Sequence, residues 1–361
     1  MIRPIRAWNR FFFATTSARP LGAIRIAFGL LALANLAFCT VDMDLWYSNE
    51  GLLRADEARA IAGPFVHSPL QYIQTPLAVR VTFGIAAAAA LGMTVGWRTK
   101  LMSLVFYGAM LSIHSRNTIS SSGADVLLMV FAFNLTISPC GAAYSVDSWL
   151  ARRRRGTAAE PVILAWSLRL IQIQISLVYA LAAILKCGGV LWLNGSALHF
   201  VLHNSEVRRL DLTFVEQWPG YPILICLASY SALVFEFSLA FFIWFRAARP
   251  LVLYMGLMLH LGILATINIP IFGELMWTGY LALLTPPEFA AFARAVDVRR
   301  PFRRGPAPAA PSRPPTIRID PPALAVPAPH RPAAVPRPKL QSAEEFAAES
   351  MDPWDSFQIL M

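Results

Sequence analysis

Apolar runs fill most of residues 21–287, and the loops between them alternate in charge. The runs fall near 21–40, 77–96, 100–114, 124–140, 162–186, 221–245, 250–268 and 270–287. A helix crosses a bilayer with roughly 17–25 apolar residues. The expected fold is therefore all-α, a polytopic membrane bundle of about eight transmembrane helices. Composition agrees: of 361 residues, 56% are hydrophobic and 14% charged, against about 25% charged in soluble domains.

Loop charges test the helix count. Arg3, Arg6, Arg10 and Arg19 precede the first run, and Asp42, Asp44, Glu50, Asp56 and Glu57 follow it. Arg98 and Lys100 follow the second run, Arg152 to Arg155 the fourth, and Arg246 and Arg249 the sixth. Arg294, Arg299, Arg300, Arg303 and Arg304 lie beyond the last. A miscounted helix would break this alternation. The positive-inside rule then predicts a multi-pass protein of the cell (inner) membrane with both termini in the cytoplasm. The first run is long enough to span, so it is expected to stay rather than leave as a signal peptide. The net charge of +10 reads as topogenic. No basic groove or aromatic platform accompanies it, so membrane lipid is an expected partner and nucleic acid is not.

This divides the chain into a cytoplasmic segment over 1–20, a transmembrane domain over 21–290 and a tail over 291–361. The tail is rich in Pro, Ala and Arg, which cannot build a packed core, and is predicted to be disordered and cytoplasmic. Cys39, Cys140, Cys187 and Cys226 form no CxxC, which removes zinc-finger and thioredoxin readings. Cys39, Cys187 and Cys226 fall on the oxidising side, where a disulfide and buried thiols are both open.

With this topology the polar residues at helix ends gather on the extracytoplasmic side. The fifth run ends on Lys186, in YALAAILKCGGVLWLNG at 179–195. An ammonium at the bilayer centre costs roughly 2.5–3.5 kcal/mol. Lys186 either snorkels to the interface or points inward, and Tyr179, two turns earlier on the same face, favours inward. Trp192 is an aromatic-belt anchor or a substrate contact. His114, Asn117 and Asp125 lie on consecutive runs joined by a tight loop, where they can orient a substrate, although Asp125 can simply cap its helix. His199 and His203 stand at i, i+4, a spacing that can bind a metal. A catalytic zinc needs a third ligand and no HExxH is present, so no metal is expected and the pair is read as hydrogen-bonding side chains. Arg169 and Glu236, the deepest charges, fall at similar depths in their runs and are expected to form a structural ion pair, with His260 at the same level.

The residues together resemble a known family. RPLGAIRIAFGLLAL at 19–33, YSNEGLL at 47–53, HSRN at 114–117 with SSGAD at 121–125, YSVD at 144–147, and Y-x6-K with W-x2-G over 179–195 resemble the horizontally transferred transmembrane (HTTM) family. That family includes the vitamin K-dependent gamma-carboxylase. The resemblance implies an active site on the lumenal or periplasmic side. It implies that Lys186 is the base that deprotonates reduced vitamin K or another quinol. Oxygen then makes that quinol a base strong enough to deprotonate a substrate glutamate, and the carbanion adds CO2. His114, Asn117, Asp125 and His260 would orient or stabilise charge, and Tyr179, Trp192, His199 and His203 would contact substrate. A peptide or protein is the partner implied. The carboxylase has a large extracytoplasmic domain, in whose place this chain has its Pro-rich tail. The alternative is a non-enzymatic membrane accessory protein for peptide maturation, export or immunity. A transporter is disfavoured, because no Gly/Pro-broken helices recur in paired halves.

Overall fold

A computed structural model describes residues 3–62, 68–73, 75–156, 160–205 and 207–296. The Pro/Ala/Arg-rich tail expected over 291–361 lies outside the described residues from 297 onward. Helices α1 (Arg3–Phe13) and α2 (Arg19–Cys39) flank strand β1 (Thr15–Ser17). The short α3 (Met43–Tyr47) and α4 (Ala55–Ala62) lead to α5 (Pro76–Val95), α6 (Thr99–Arg116), α7 (Gly123–Ile137) and α8 (Val146–Arg155). Strand β2 (Val162–Leu164) precedes α9 (Trp166–Cys187), α10 (Val190–Leu193) and α11 (Ala197–His203). The chain continues through α12 (Tyr221–Phe242), α13 (Arg249–Thr266), α14 (Phe272–Tyr280) and α15 (Pro286–Val296). Met1–Phe289 belongs to one compact unit, and a second begins at Ala290 within α15.

The apolar runs read from the sequence fold as α2, α5, α6, α7, α9, α12, α13 and α14. Among the described residues, five helices (α2, α5, α9, α12 and α13) are long and apolar enough to cross a membrane. Helix α7 is apolar but shorter, α6 is interrupted by Lys100, Ser103, Ser112 and His114, and α14 has only nine residues. The protein is thus a membrane-embedded helical bundle.

Sequential helices pack as neighbours: α2 on α5, α5 on α6, α6 on α7, α9 on α12, and α12 on α13, with α14 returning to α2. The core is held by aromatic contacts, Phe28 edge-on to Phe106 at 5.9 Å and stacked on Phe131 at 6.3 Å. Where helices lack a hydrophobic drive to associate, small residues let backbones approach. A Cβ at Gly22 of α2 would stand 2.7 Å from the Ala143 carbonyl oxygen, too close to fit.

At the arginine-rich end, buried groups tie loops to helices. Arg25 is fully buried, donating to the carbonyls of Cys140 at 3.1 Å, Ala143 at 3.3 Å and Tyr144 at 2.6 Å. Asp147 caps α6 from a different helix: it accepts from the Arg98 N–H at 2.9 Å, and from the Thr99 N–H and hydroxyl, both at 2.7 Å. Burial works to raise the Asp147 carboxyl, but the Thr99 and Arg98 donors and the Arg25 charge outweigh it and hold the carboxyl below the ordinary aspartate value. A depressed pKa means stability that is present above the ordinary value near 4 and lost as pH falls through the folded one. Asp147→Ala is therefore expected to cost about 0.5–2 kcal/mol at pH 7. The difference from the parent protein should shrink in unfolding titrations at acidic pH.

Residues 3–17, read only as a basic segment, are structured. Helix α1 is amphipathic with Arg3, Arg6 and Arg10 recurring along it, a pattern suited to lying along a membrane surface. Strand β1 pairs antiparallel with β2, placing Thr15 opposite Leu164. At the other end, Arg116 is fully buried and donates to the carbonyls of Ser48 at 3.0 Å and Leu53 at 2.7 Å, which pins the YSNEGLL loop onto α6.

Candidate functional site

Lys186 lies one residue before the end of α9, and its amine turns into the bundle. Nζ donates to Glu236 Oε1 of α12 at 2.5 Å and sits 5.2 Å from the centre of the Trp192 ring. Helical side chains lean back toward their own N-terminus, which aims Lys186 inward along α9 rather than out past its end. The other carboxylate oxygen of Glu236, Oε2, is buried with no hydrogen-bond partner among the described residues. One stripe deeper on the same face, Tyr179 Oη meets His260 Nε2 of α13 at 2.7 Å and bonds the Tyr280 hydroxyl of α14. His260 Nδ1 is likewise buried and unpartnered. Helices α9, α12, α13 and α14 thus converge on one polar seam with two unfilled hydrogen-bonding atoms.

Leu185 and Leu181, on the outer side of the same helix turn, are 76% and 56% exposed, the exposure of a lipid-facing surface. The Lys186 side chain itself is a quarter exposed and that of Glu236 about a tenth. The Lys186–Glu236 pair is thus mostly buried and lies next to an exposed apolar face.

The expected Arg169–Glu236 pair is replaced by Lys186–Glu236. The reason is the stagger of α9 against α12. Ser176 Oγ donates to the Ala240 carbonyl at 2.5 Å and accepts from Trp244 Nε1 at 3.2 Å, so Ser176 lies level with 240–244. At 1.5 Å per residue, Arg169 is then about 10 Å from that level in one direction and Glu236 about 6 Å in the other. Treating the two runs as flush at their ends concealed this offset. Arg169 instead donates to the Phe11 carbonyl at 3.2 Å and to Gln172 Oε1 at 2.8 Å, with its guanidinium 4.4 Å from the centre of the Phe11 ring. It fastens α1 to the bundle.

His114 and Asp125 form a second, separate cluster. His114 Nε2 lies 4.0 Å from Asp125 Oδ1, while Asp125 Oδ2 caps α7 by accepting from the Ser122 N–H at 2.8 Å and hydroxyl at 2.9 Å. The two line a cleft of about 650 Å³ whose other walls include Met129 and Phe133 of α7 and Leu170, Ile173 and Gln174 of α9. Asn117, expected beside them, turns away. Its amide donates to the Trp46 carbonyl at 3.0 Å and its oxygen accepts from the Ile119 and Ser120 N–H groups at 3.1 and 3.2 Å. Lys186 is not in this cleft. At about 100° per residue it falls some 120–160° around α9 from Leu170, Ile173 and Gln174. The structure therefore divides the residues expected to form one site into two, on opposite faces of α9.

The α11 histidines face neither. His199 Nδ1 meets the Tyr221 hydroxyl at 2.7 Å, and His203 Nδ1 bonds the His199 carbonyl at 2.7 Å. Glu216, which no sequence spacing singled out, lies beside both. Tyr280 was also missed, a single phenol inside an apolar run that only the packing of α14 on α9 brings to Tyr179. All four cysteines are free thiols, so no disulfide joins Cys39, Cys187 and Cys226.

No curated protein and no solved structure matches the chain. The HTTM domain family matches residues 13–288, from the end of α1 into α15. The match takes in every apolar helix, the Lys186 seam and the His114 cleft, and on that coverage the protein belongs to the HTTM family.

Proposed function

We propose that the Lys186 seam is a proton-abstracting site for a lipid-soluble acid, in the manner of the carboxylase that the family includes. The observation that carries this is the Lys186–Glu236 contact at 2.5 Å, within a seam that leaves Glu236 Oε2 and His260 Nδ1 unpartnered. In a dry setting, two separated charges are costly, and an amine beside a carboxyl can hold its proton on either partner. With that proton on Glu236, the Lys186 amine is a free base. It takes the proton of an acidic hydroxyl and becomes an ammonium held between Glu236 and the Trp192 ring. A reduced naphthoquinone or another quinol, when bound, would supply that hydroxyl. Its fit rests on the two unpartnered atoms and on the exposed leucines beside them, which let a lipid-soluble ring enter sideways. Tyr179, His260 and Tyr280 hold the inner wall and can pass hydrogen bonds to the ligand.

In this reading the seam lies on the extracytoplasmic side of a cell membrane, which the positive-inside rule applied to the arginine-rich loops at the opposite end supports. His114 and Asp125 act apart from the proton transfer, at the mouth of their own cleft. The second reading, a non-enzymatic accessory protein for a peptide, is favoured by the same contact, because a closed Lys–Glu pair also serves as a purely structural bolt.

Oxygen-dependent consumption of reduced naphthoquinone by the protein in nanodiscs, with oxygen oxidising the quinol once Lys186 has taken its proton, separates the two. The double variant Lys186→Met/Glu236→Gln removes both partners and strands neither. Turnover by the wild type that falls at least about tenfold in the double variant, with unchanged thermal stability, supports the base. Equal turnover in both, or none in the wild type, rejects it.

A further inference from the structure

We infer that His199, His203 and Glu216 form a binding site for a divalent transition-metal ion, zinc foremost, independent of the Lys186 seam. One nitrogen from each imidazole and one oxygen of Glu216 lie within 4.8 Å of one another. The i, i+4 spacing puts both rings on one face of α11, with centroids 4.4 Å apart. The segment Thr213–Gln217 brings Glu216 across to them.

Hydrogen bonding fixes what these atoms offer. The His199 carbonyl cannot donate, so the contact at 2.7 Å requires a proton on His203 Nδ1. The neutral ring then presents the lone pair of Nε2 to Glu216 Oε1, 2.6 Å away. Two lone pairs at that distance repel unless a positive centre serves both. A proton on His203 Nε2 would answer that contact alone, whereas His199 Nδ1 also stands 3.6 Å from the same oxygen. One divalent cation serves all three donors. The neighbouring Arg208 is engaged by Asp211 at 3.4 Å.

The surroundings match what metal-bound histidines need. A ligating ring usually donates its other N–H to a carbonyl, carboxylate or water, which sets the tautomer. His203 does this with the His199 carbonyl; the Tyr221 hydroxyl lies 2.7 Å from His199 Nδ1, the nitrogen that faces Glu216, and must turn aside for that nitrogen to bind the metal. Two histidines and one carboxylate leave a coordination position for water or a ligand. The rings and carboxylate must open slightly from their present spacing, since ligands around zinc at about 2.0–2.2 Å stand more than 2.6 Å apart. The third ligand that the sequence did not supply comes from a segment thirteen residues after His203, so the expectation of no metal is revised here.

The test is zinc binding by the full chain in nanodiscs, purified without a histidine tag, stripped with chelator and titrated with zinc chloride alone. About one zinc per chain should survive desalting in the wild type and in the Lys186→Met/Glu236→Gln variant. His203→Ala and Glu216→Gln should each weaken binding at least about tenfold. Cobalt(II) in place of zinc should give the intense visible bands of a four-coordinate site, lost in both variants. No retained zinc in the folded wild type, or retention unchanged in His203→Ala and Glu216→Gln, overturns the assignment and leaves a proton-bridged His203–Glu216 contact.

Discussion

Lys186→Met alone should cost about 3–5 kcal/mol of stability, because it strands the Glu236 carboxylate without its only described cation. The double variant Lys186→Met/Glu236→Leu should return to within about 1–2 kcal/mol of the wild type, since a buried ion pair replaced by apolar side chains is often neutral. Reversible unfolding in mixed micelles measures both. The coupling between the two sites should be large, whereas Arg169→Met with Glu236→Leu should be additive, because the two residues lie about 16 Å apart along the bundle by the stagger of α9 and α12. This bears on function: loss of activity in a Lys186 single variant is ambiguous, and only the paired variant separates chemistry from folding.

Arg25→Met should be nearly as damaging. Its guanidinium is fully buried and is the shared donor for the carbonyls of Cys140, Ala143 and Tyr144. A hydrogen bond to a charged group contributes about 1.5–3 kcal/mol. Removing the charge relieves its own desolvation, yet three carbonyls then lose their donor inside the bundle. Tyr144, one of the three, is held at a φ of 51°, a left-handed conformation that a non-glycine residue adopts only when neighbours impose it. The net loss is expected to be about 3 kcal/mol or more. Arg25→Lys should recover less than half of it, because an ammonium lacks the planar fork that reaches several carbonyls at once. Loss of thermal stability with retained membrane insertion is the expected readout.

Helix existence was legible in the sequence because the bilayer imposes a length, and seven of the eight apolar runs became helices within a few residues of the expected ends; the eighth, 270–287, yields only the nine-residue α14, which stops at Tyr280. The short helices and the β1–β2 pairing were not, since Thr15 to Ser17 and Val162 to Leu164 carry too little pattern in three residues each. The inward turn of Lys186 was legible from Tyr179, which shares its face. The partner of Lys186 was not. Depth within a single run says nothing about how two helices slide past each other, and that slide depends on contacts such as Ser176 with Ala240 and Trp244. The same limit hid the division of the polar residues: His114 and Lys186 both lie near helix ends on one side, but helical rotation sends them to opposite faces of α9. Glu216 lies on a short turn with no periodicity, so only the folded chain brings it to His199 and His203.

The chain has only three lysines, Lys100, Lys186 and Lys339, which makes the state of the Lys186 amine directly measurable. Amine acetylation of the protein in nanodiscs, followed by mass spectrometry, compares Lys186 in the folded chain with Lys186 in the denatured chain. Lys186 should react far more slowly in the folded wild type than after denaturation, and Glu236→Ala should close most of that gap. Equal rates in the folded and denatured wild type would contradict a sequestered Lys186–Glu236 pair and, with it, the proposed base.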